Sequence, residues 1–212
     1  MTPHSHPSES HLLAYVTGDA EPQLRALLEC HLGLCDACST AVGQLSAPGG
    51  QWLVHTPPAE VPGDLFACVM GRIQGQVPPA EVDLALPPTV RSLLPSHSRP
   101  DWKGILKHGF RFVQLMQEAP GGFGLYLVHL SAGTRFPLHR HGGLEEAVIL
   151  AGGLADGEHR LEAGDWSTSD AGSAHAPRAL KDEDCWLLAR MEGGIHFSGW
   201  RGWLQTLSGS AS

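Results

Sequence analysis

The hydrophobic pattern of this chain changes period once, across VPPAEVDLALPP at residues 77–88, and that change limits the fold more than any other feature. Before it, Leu24, Leu27, Leu28, His31, Leu32 and Cys35 recur at three and four residues and mark one face of a helix. After it, apolar residues come in short runs with glycine turns between several of them: FRFVQLM (110–116), FGLYLVHL (123–130), EAVILAG (146–152) and CWLLARM (185–191). LEAGDW (161–166) starts a further strand. Many short strands with glycine turns favour an antiparallel barrel or sandwich. The stretch between is bracketed by prolines, has no clear period and reads as a linker. The expectation is a two-domain protein, α followed by all-β: helices over 1–80, a linker over 81–94 and a β domain over 95–205.

In the front part, Leu12–Val16 and Leu24–Leu34 read as helices, with Pro22 suited to a first turn. A short helix follows Asp36 and ends before Pro48; residues 46–60 read as a loop; residues 62–76 read as a fourth helix. Leu65, Phe66, Val69, Met70 and Ile73 give that helix an apolar stripe.

Within the front part, His31, Cys35 and Cys38 are spaced H-x3-C-x2-C. On a helix His31 and Cys35 share a face, and Cys38 lies a turn further on, so three soft donors surround one point, as tetrahedral zinc requires. A fourth donor has to come from elsewhere, and His4, His6, His11, Cys30 and Cys68 are the candidates. The alternatives are a small helical core packed by His31 and the cysteines, against which the histidine one turn before the C-x2-C favours metal, and a thioredoxin-like redox pair, which lacks a surrounding βαβ pattern. So short a segment has little apolar core, and a structural metal supplies folding energy.

Charge narrows the partners. Residues 1–85 hold nine acids against two arginines, a balance of -7, while 86–212 hold thirteen acids against twelve bases. The front part therefore repels nucleic acid and favours a basic partner. A metal finger that reads DNA would need basic and aromatic residues beside the clasp, and these are missing from the H-x3-C-x2-C segment. No apolar run is long enough for a membrane span. The N-terminal MTPHSHPSES lacks the charged and apolar regions of a signal peptide, and five cysteines do not suggest a secreted disulfide scaffold. The expected location is the cytoplasm.

The β part carries a second cluster. His139 and His141 are two apart and so face one side of a strand; Glu145 follows closely and His175 comes after GDWSTSDAGSAH. Three histidines and a carboxylate are donors of mixed hardness that suit zinc, manganese, iron or nickel.

Two resemblances join these parts. SHPSESHLLAYVTGDAEPQLRALLECHLGLCDAC resembles the zinc-binding anti-sigma domain, whose pattern is an N-terminal histidine followed by H-x3-C-x2-C. The resemblance implies structural zinc on His6, His31, Cys35 and Cys38, and a fourth helix that clamps the sigma factor. GTRFPLHRHGGLEEAVILAG, from Gly133 to Gly152, fits the first cupin motif, G-x5-H-x-H-x3-E-x6-G. GDWSTSDAGSAHAPRA fits the spacing of the second, with Asp170 where the family has proline and Ala179 where it has asparagine. That resemblance implies a cupin barrel, a double-stranded β-helix or jelly roll, with a divalent metal, zinc first among those named, on His139, His141, Glu145 and His175.

An anti-sigma head before a cupin tail is similar to the ChrR-type zinc anti-sigma factors. The family implies a non-enzymatic regulator whose head inhibits an extracytoplasmic-function (group IV) sigma factor. Release follows singlet oxygen or a related oxidant sensed through the cupin, by way of a metal ligand, a nearby thiol such as Cys185 or the metal environment. Direct nucleic-acid or membrane binding is not expected, and a small-molecule ligand of the cupin is left open. The alternative is a metal-dependent cupin enzyme such as a dioxygenase, using open coordination positions at the histidine cluster.

Overall fold

The computed structural model describes residues 3–74, 90–91, 101–103, 109–117 and 122–197. All of the expected linker except residues 90 and 91 lies outside these, as does the expected end of the β domain from residue 198.

Among the described residues, four helices come first. Helix α1 (Glu9–Thr17) starts where the Ser8 hydroxyl accepts the His11 N–H at 3.3 Å, and stops at Gly18, whose φ of 84° only glycine adopts readily. Helix α2 (Pro22–Leu32) begins on its proline. Helix α3 (Asp36–His55) is capped by the Cys35 sulfur, which accepts the Cys38 N–H at 3.5 Å. It runs through Pro48, where the sequence pattern predicts a stop and a loop. Proline there removes one bond to the carbonyl four residues back, but that stretch is exposed and water can serve the carbonyl instead. Helix α4 (Leu65–Gln74) buries none of its residues.

Eleven strands follow among the described residues: β1 (Phe110–Met116), β2 (Phe123–Leu130), β3 (His139–His141), β4 (Glu145–Ala151), β5 (Gly153–Asp156), β6 (His159–Glu162), β7 (Trp166–Ser169), β8 (Ala174–His175), β9 (Arg178–Ala179), β10 (Cys185–Glu192) and β11 (Ile195–Phe197). LEAGDW, expected to open one strand, instead ends β6, turns at Gly164 (φ +93°) and enters β7.

The strands form three open antiparallel sheets, in the orders β1-β2-β10-β4-β7, β11-β3-β8 and β6-β5-β9. This corrects the expected cupin barrel, because no sheet closes on itself among the described residues. Two physical causes are visible. Glycines at positive φ cut the long strands from their continuations: Gly152 (φ +67°) separates β4 from β5, and Gly193 and Gly194 separate β10 from β11. Strands as short as two residues, β8 and β9, cannot carry a ladder around a closed wall. The edges of the large sheet are met by other segments: Lys103 bridges to Phe112 of β1, and Ser5 accepts the Trp166 N–H of β7 at 3.1 Å.

The two faces of the five-stranded sheet are distinct. Leu125, Leu127, Val148, Leu150, Trp186 and Leu188 share one core cluster with Leu12, Leu24, Leu27 and Leu28 of the helices. Their alternates, among them Leu130, Ala147, Ile149, Cys185, Leu187 and Ala189, build the second cluster with Phe136, Leu154 and Ala179. The helical head therefore completes its core on the sheet. Leu27 and Leu28 are fully buried, and each such side chain contributes about 1.5–3 kcal/mol.

Two candidate metal centres

Of the candidate ligands in the head, the fold brings together His6, His31, Cys35 and Cys38, whose donor atoms all lie within 4.8 Å of one another. Helix α2 presents His31 from its last turn and the start of α3 supplies the cysteines, while His6 arrives from the extended segment before α1. His6 Nδ1 is 3.5 Å from Cys35 Sγ and 3.4 Å from Cys38 Sγ. His31 donates from Nδ1 to the Gly164 carbonyl at 2.7 Å, which turns a bare Nε2 toward the cluster. That Nε2 is buried and has no hydrogen-bond partner. Burial, with His6 beside it, holds the pKa of His31 below the ordinary value although the Gly164 carbonyl opposes this, so the ring stays neutral. Burial and the neighbouring Cys35 push the Cys38 thiol up to about 11. A buried bare nitrogen, a second imidazole and two close sulfurs are the donors of a tetrahedral zinc shell, and with such a cation present the thiols would ionise.

The remaining fourth-ligand candidates lie elsewhere. The His4 backbone N–H meets Asp165, and His11 Nδ1 sits 3.5 Å from Glu146 Oε1. Cys30 is buried in the core with its thiol raised to about 12 by burial and by Glu29, and Cys68 is exposed on α4.

On the other face of the sheet, His139, His141 and His175 converge. β3 holds the first two on one side, and β8 sets His175 opposite His139. His175 Nε2 lies 2.9 Å from His141 Nε2 and 3.0 Å from His139 Nε2. His139 gives its Nδ1 proton to the Pro137 carbonyl at 2.9 Å, and His175 gives its own to Asp156 Oδ2 at 2.6 Å. In their neutral forms both rings then turn bare Nε2 lone pairs at each other. Burial lowers His139 and His141 to about 4, with His175 adding to the effect in each. Facing lone pairs at such distances fit a shared cation, and a carboxylate on the far nitrogen of a ligating histidine is the usual way to orient it.

Glu145 stands outside this group of three. Its Oε2 is 3.5 Å from His141 Nδ1, the outer nitrogen, and burial raises its carboxyl to about 7. Its neighbour Glu146 points through the sheet to the head. There it takes Arg190 Nε at 2.7 Å, and the same arginine also reaches Glu21 of the head. Cys185 is fully buried on the triad's side of the sheet, and burial, then Glu183, pushes its thiol up to about 12. His129 pairs with Asp184 at 2.9 Å and stacks on Trp186 at 4.3 Å, while His159 is exposed.

Sequence reasoning missed Asp156, Asp165 and the Arg190–Glu146–Glu21 bridge. Asp156 stands in a turn-like ADGEH with no ligand spacing, and only the pairing of β5 with β9 brings it to His175. Asp165 and Glu21 act across sequence separations of 160 and 169 residues, where no local pattern reports them.

A helical head with a His2Cys2 cluster, docked on antiparallel sheets with a histidine triad, defines a two-centre, cupin-like protein. Residues 93–192 match the family described as the ChrR cupin-like domain. The chain is 28% identical to the anti-sigma-E factor ChrR of Cereibacter sphaeroides over 202 residues, covering 93% of this chain and 94% of that protein. It also matches a crystal structure of Rhodobacter sphaeroides SigE in complex with the anti-sigma ChrR, at TM-score 0.63 and 28% identity, covering 90% of this chain and 100% of that one. The chain is thus similar to ChrR along nearly its whole length.

Proposed function

We propose that this protein is an anti-sigma factor that binds and inhibits an extracytoplasmic-function sigma factor, mainly through its head. The observation that carries this reading is the uncovered apolar surface of α3 and α4 in a chain that matches, over 90% of its length, a protein solved in complex with SigE. Trp52, Leu53 and Val54 are 79%, 74% and 82% exposed, and Phe66 is 77% exposed, with Leu65, Val69 and Ile73 also open. Large apolar side chains gathered on an acidic head are the anchors of a protein interface rather than of a core.

In this reading residues 1–80 form the sigma-binding unit, 81–94 the connector and 95–205 the cupin-like unit. Structural zinc sits on His6, His31, Cys35 and Cys38. A divalent metal, zinc before manganese, iron or nickel, sits on His139, His141 and His175; Glu145, which in this structure meets the outer nitrogen of His141, would have to turn inward to join them as a fourth ligand. Singlet oxygen or a related oxidant acts through the cupin-like unit to release the sigma factor, in the cytoplasm and without direct nucleic-acid contact. No helix among the described residues is long and apolar enough to cross a membrane, which suits this placement. The protein matched over 93% of this chain is named as an anti-sigma factor, so we read the triad as regulatory rather than catalytic.

The test is an anaerobic capture from native extract with the full chain as bait, beside a Phe66→Asp, Val69→Asp variant. One small sigma factor retained by the wild type and lost from the folded variant is expected. A folded, metal-loaded wild type that retains no sigma factor overturns the reading and returns the triad to the enzymatic alternative.

A further inference from the structure

The head's four-donor cluster is not supported by the head alone. Its nearest outer contacts come from the turn between β6 and β7, on the second unit. The Gly164 carbonyl orients His31. Asp165 is 1% exposed and spans the interface: Oδ1 accepts the His4 and Ser5 N–H groups at 2.5 and 3.0 Å, while Oδ2 accepts the Glu162 N–H of its own turn at 2.7 Å. Trp166 donates its N–H to Ser5, and its ring meets His31 edge-on at a centroid distance of 6.0 Å. The fit at Gly164 is close, since a Cβ there would stand 2.6 Å from Pro3 Cγ. Apart from the bond to Glu162 within the turn itself, these contacts fall on His31 or on the extended segment that delivers His6.

We propose that the turn Glu162–Trp166 is the outer shell of the head's metal site, with Asp165 as the positioning residue. This rests on the reading that His6, His31, Cys35 and Cys38 hold a metal. His6 is the one donor carried by an extended segment rather than by or beside a helix, so its position depends on whatever grips residues 3–5. Asp165 is that grip. It reduces the freedom His6 would lose on ligation, while Gly164 fixes which nitrogen of His31 faces the metal. Burial would raise the Asp165 carboxyl, but donation from Glu162, Ser5 and His4 outweighs burial and lowers it, in keeping with a carboxylate held to accept N–H groups. Linkage makes the effect reciprocal: a docked turn favours metal retention, and a filled site favours docking. Metal loss in the head would then loosen its seat on the five-stranded sheet, whose other face looks toward the triad.

The test uses the full chain and cobalt(II), whose thiolate charge-transfer band reports the cysteine-containing head site and not the all-histidine triad. Zinc is then titrated against the cobalt form. Asp165→Ala should weaken zinc and cobalt at the head by about ten- to a hundredfold. Asp165→Asn, which keeps an acceptor oxygen and serves if the alanine variant does not fold, should recover part of the loss. A residue that only packs would lower stability with and without metal alike and leave affinity unchanged; that result overturns the proposal while the metal reading stands. Failure of the wild type to show a thiolate–cobalt band overturns the metal reading and the proposal with it. In the reciprocal arm, chelating metal from the wild type should speed hydrogen exchange at the Ser5 and Trp166 amides, and unchanged protection counts against the linkage.

Discussion

The two faces of the five-stranded sheet carry the same kind of residue to different ends. On the head face, His31, Cys35 and Cys38 are buried in the cluster that holds the leucines of α1 and α2, and with His6 they make four protein donors, enough to fill a tetrahedral shell. On the opposite face, three imidazoles converge, and His175 keeps 23% of its side chain exposed. A site that is continuous with a core belongs to folding. A three-donor site at the rim of a short sheet leaves coordination positions for something else. Strand β4 joins the two, since Glu145 faces His141 while Glu146 faces Arg190 and the head.

The largest difference should appear when each centre is dismantled. Cys35→Ser with Cys38→Ser should remove one metal equivalent and unfold the head, because structural zinc supplies about 10–16 kcal/mol of folding free energy in small domains. His139→Ala with His141→Ala should remove the other equivalent and leave the helices intact, since Leu125, Leu127, Val148 and Leu188 pack without the triad. Metal analysis paired with thermal melts monitored by helical circular dichroism decides this. A triad variant that unfolds while the cysteine variant does not would reverse the comparison.

The next effect is at β4. Glu146 and Arg190 have only 3% and 6% of their side chains exposed and lie 2.6 Å apart, so Glu146→Ala strands a buried guanidinium and should cost about 3–5 kcal/mol in urea unfolding. Glu21, with 42% of its side chain exposed, should matter by about 1 kcal/mol at most. A Glu146→Ala cost below that of Glu21→Ala would show that the arginine is held chiefly by Glu21 of the head and not by its strand neighbour.

These regions were also unequally legible in the sequence. The H-x3-C-x2-C spacing keeps His31, Cys35 and Cys38 within one helix-to-helix turn, and H-x-H keeps His139 and His141 on one strand, so both groups left a local trace; Glu145 of the same motif lies on the next strand and outside the convergent group. Period alone placed β1 and β2 at their observed limits, because alternating apolar side chains on a two-faced sheet leave a local trace. Closure of the sheet left no such trace. It depends on how far ladders extend past Gly152, Gly193 and Gly194, and on Ser5 meeting the β7 edge from the far end of the chain. The head's missing core was likewise invisible, because its partners Leu125, Leu127 and Leu188 lie about a hundred residues or more away.

The smallest expected effect belongs to a carboxylate that touches neither centre. Asp184 accepts the Ala132 N–H and the His129 Nε2–H, each at 2.9 Å, and these bonds, in that order, lower its pKa, with Arg111 adding to them. A carboxyl whose folded pKa lies below its unfolded value of about 3.9 stabilises the fold above that value and loses the contribution as pH falls through the folded pKa. With 51% of its side chain in solvent, Asp184 is well screened, so Asp184→Asn should cost only a fraction of the Glu146→Ala effect. The difference from wild type should hold from neutral pH down to about pH 4 and shrink below it. Urea midpoints across that range test this. A difference that instead grows on acidification would mean that the loss of Asp184 acts through His129 and the Trp186 ring stacked on it, and not through the carboxylate itself.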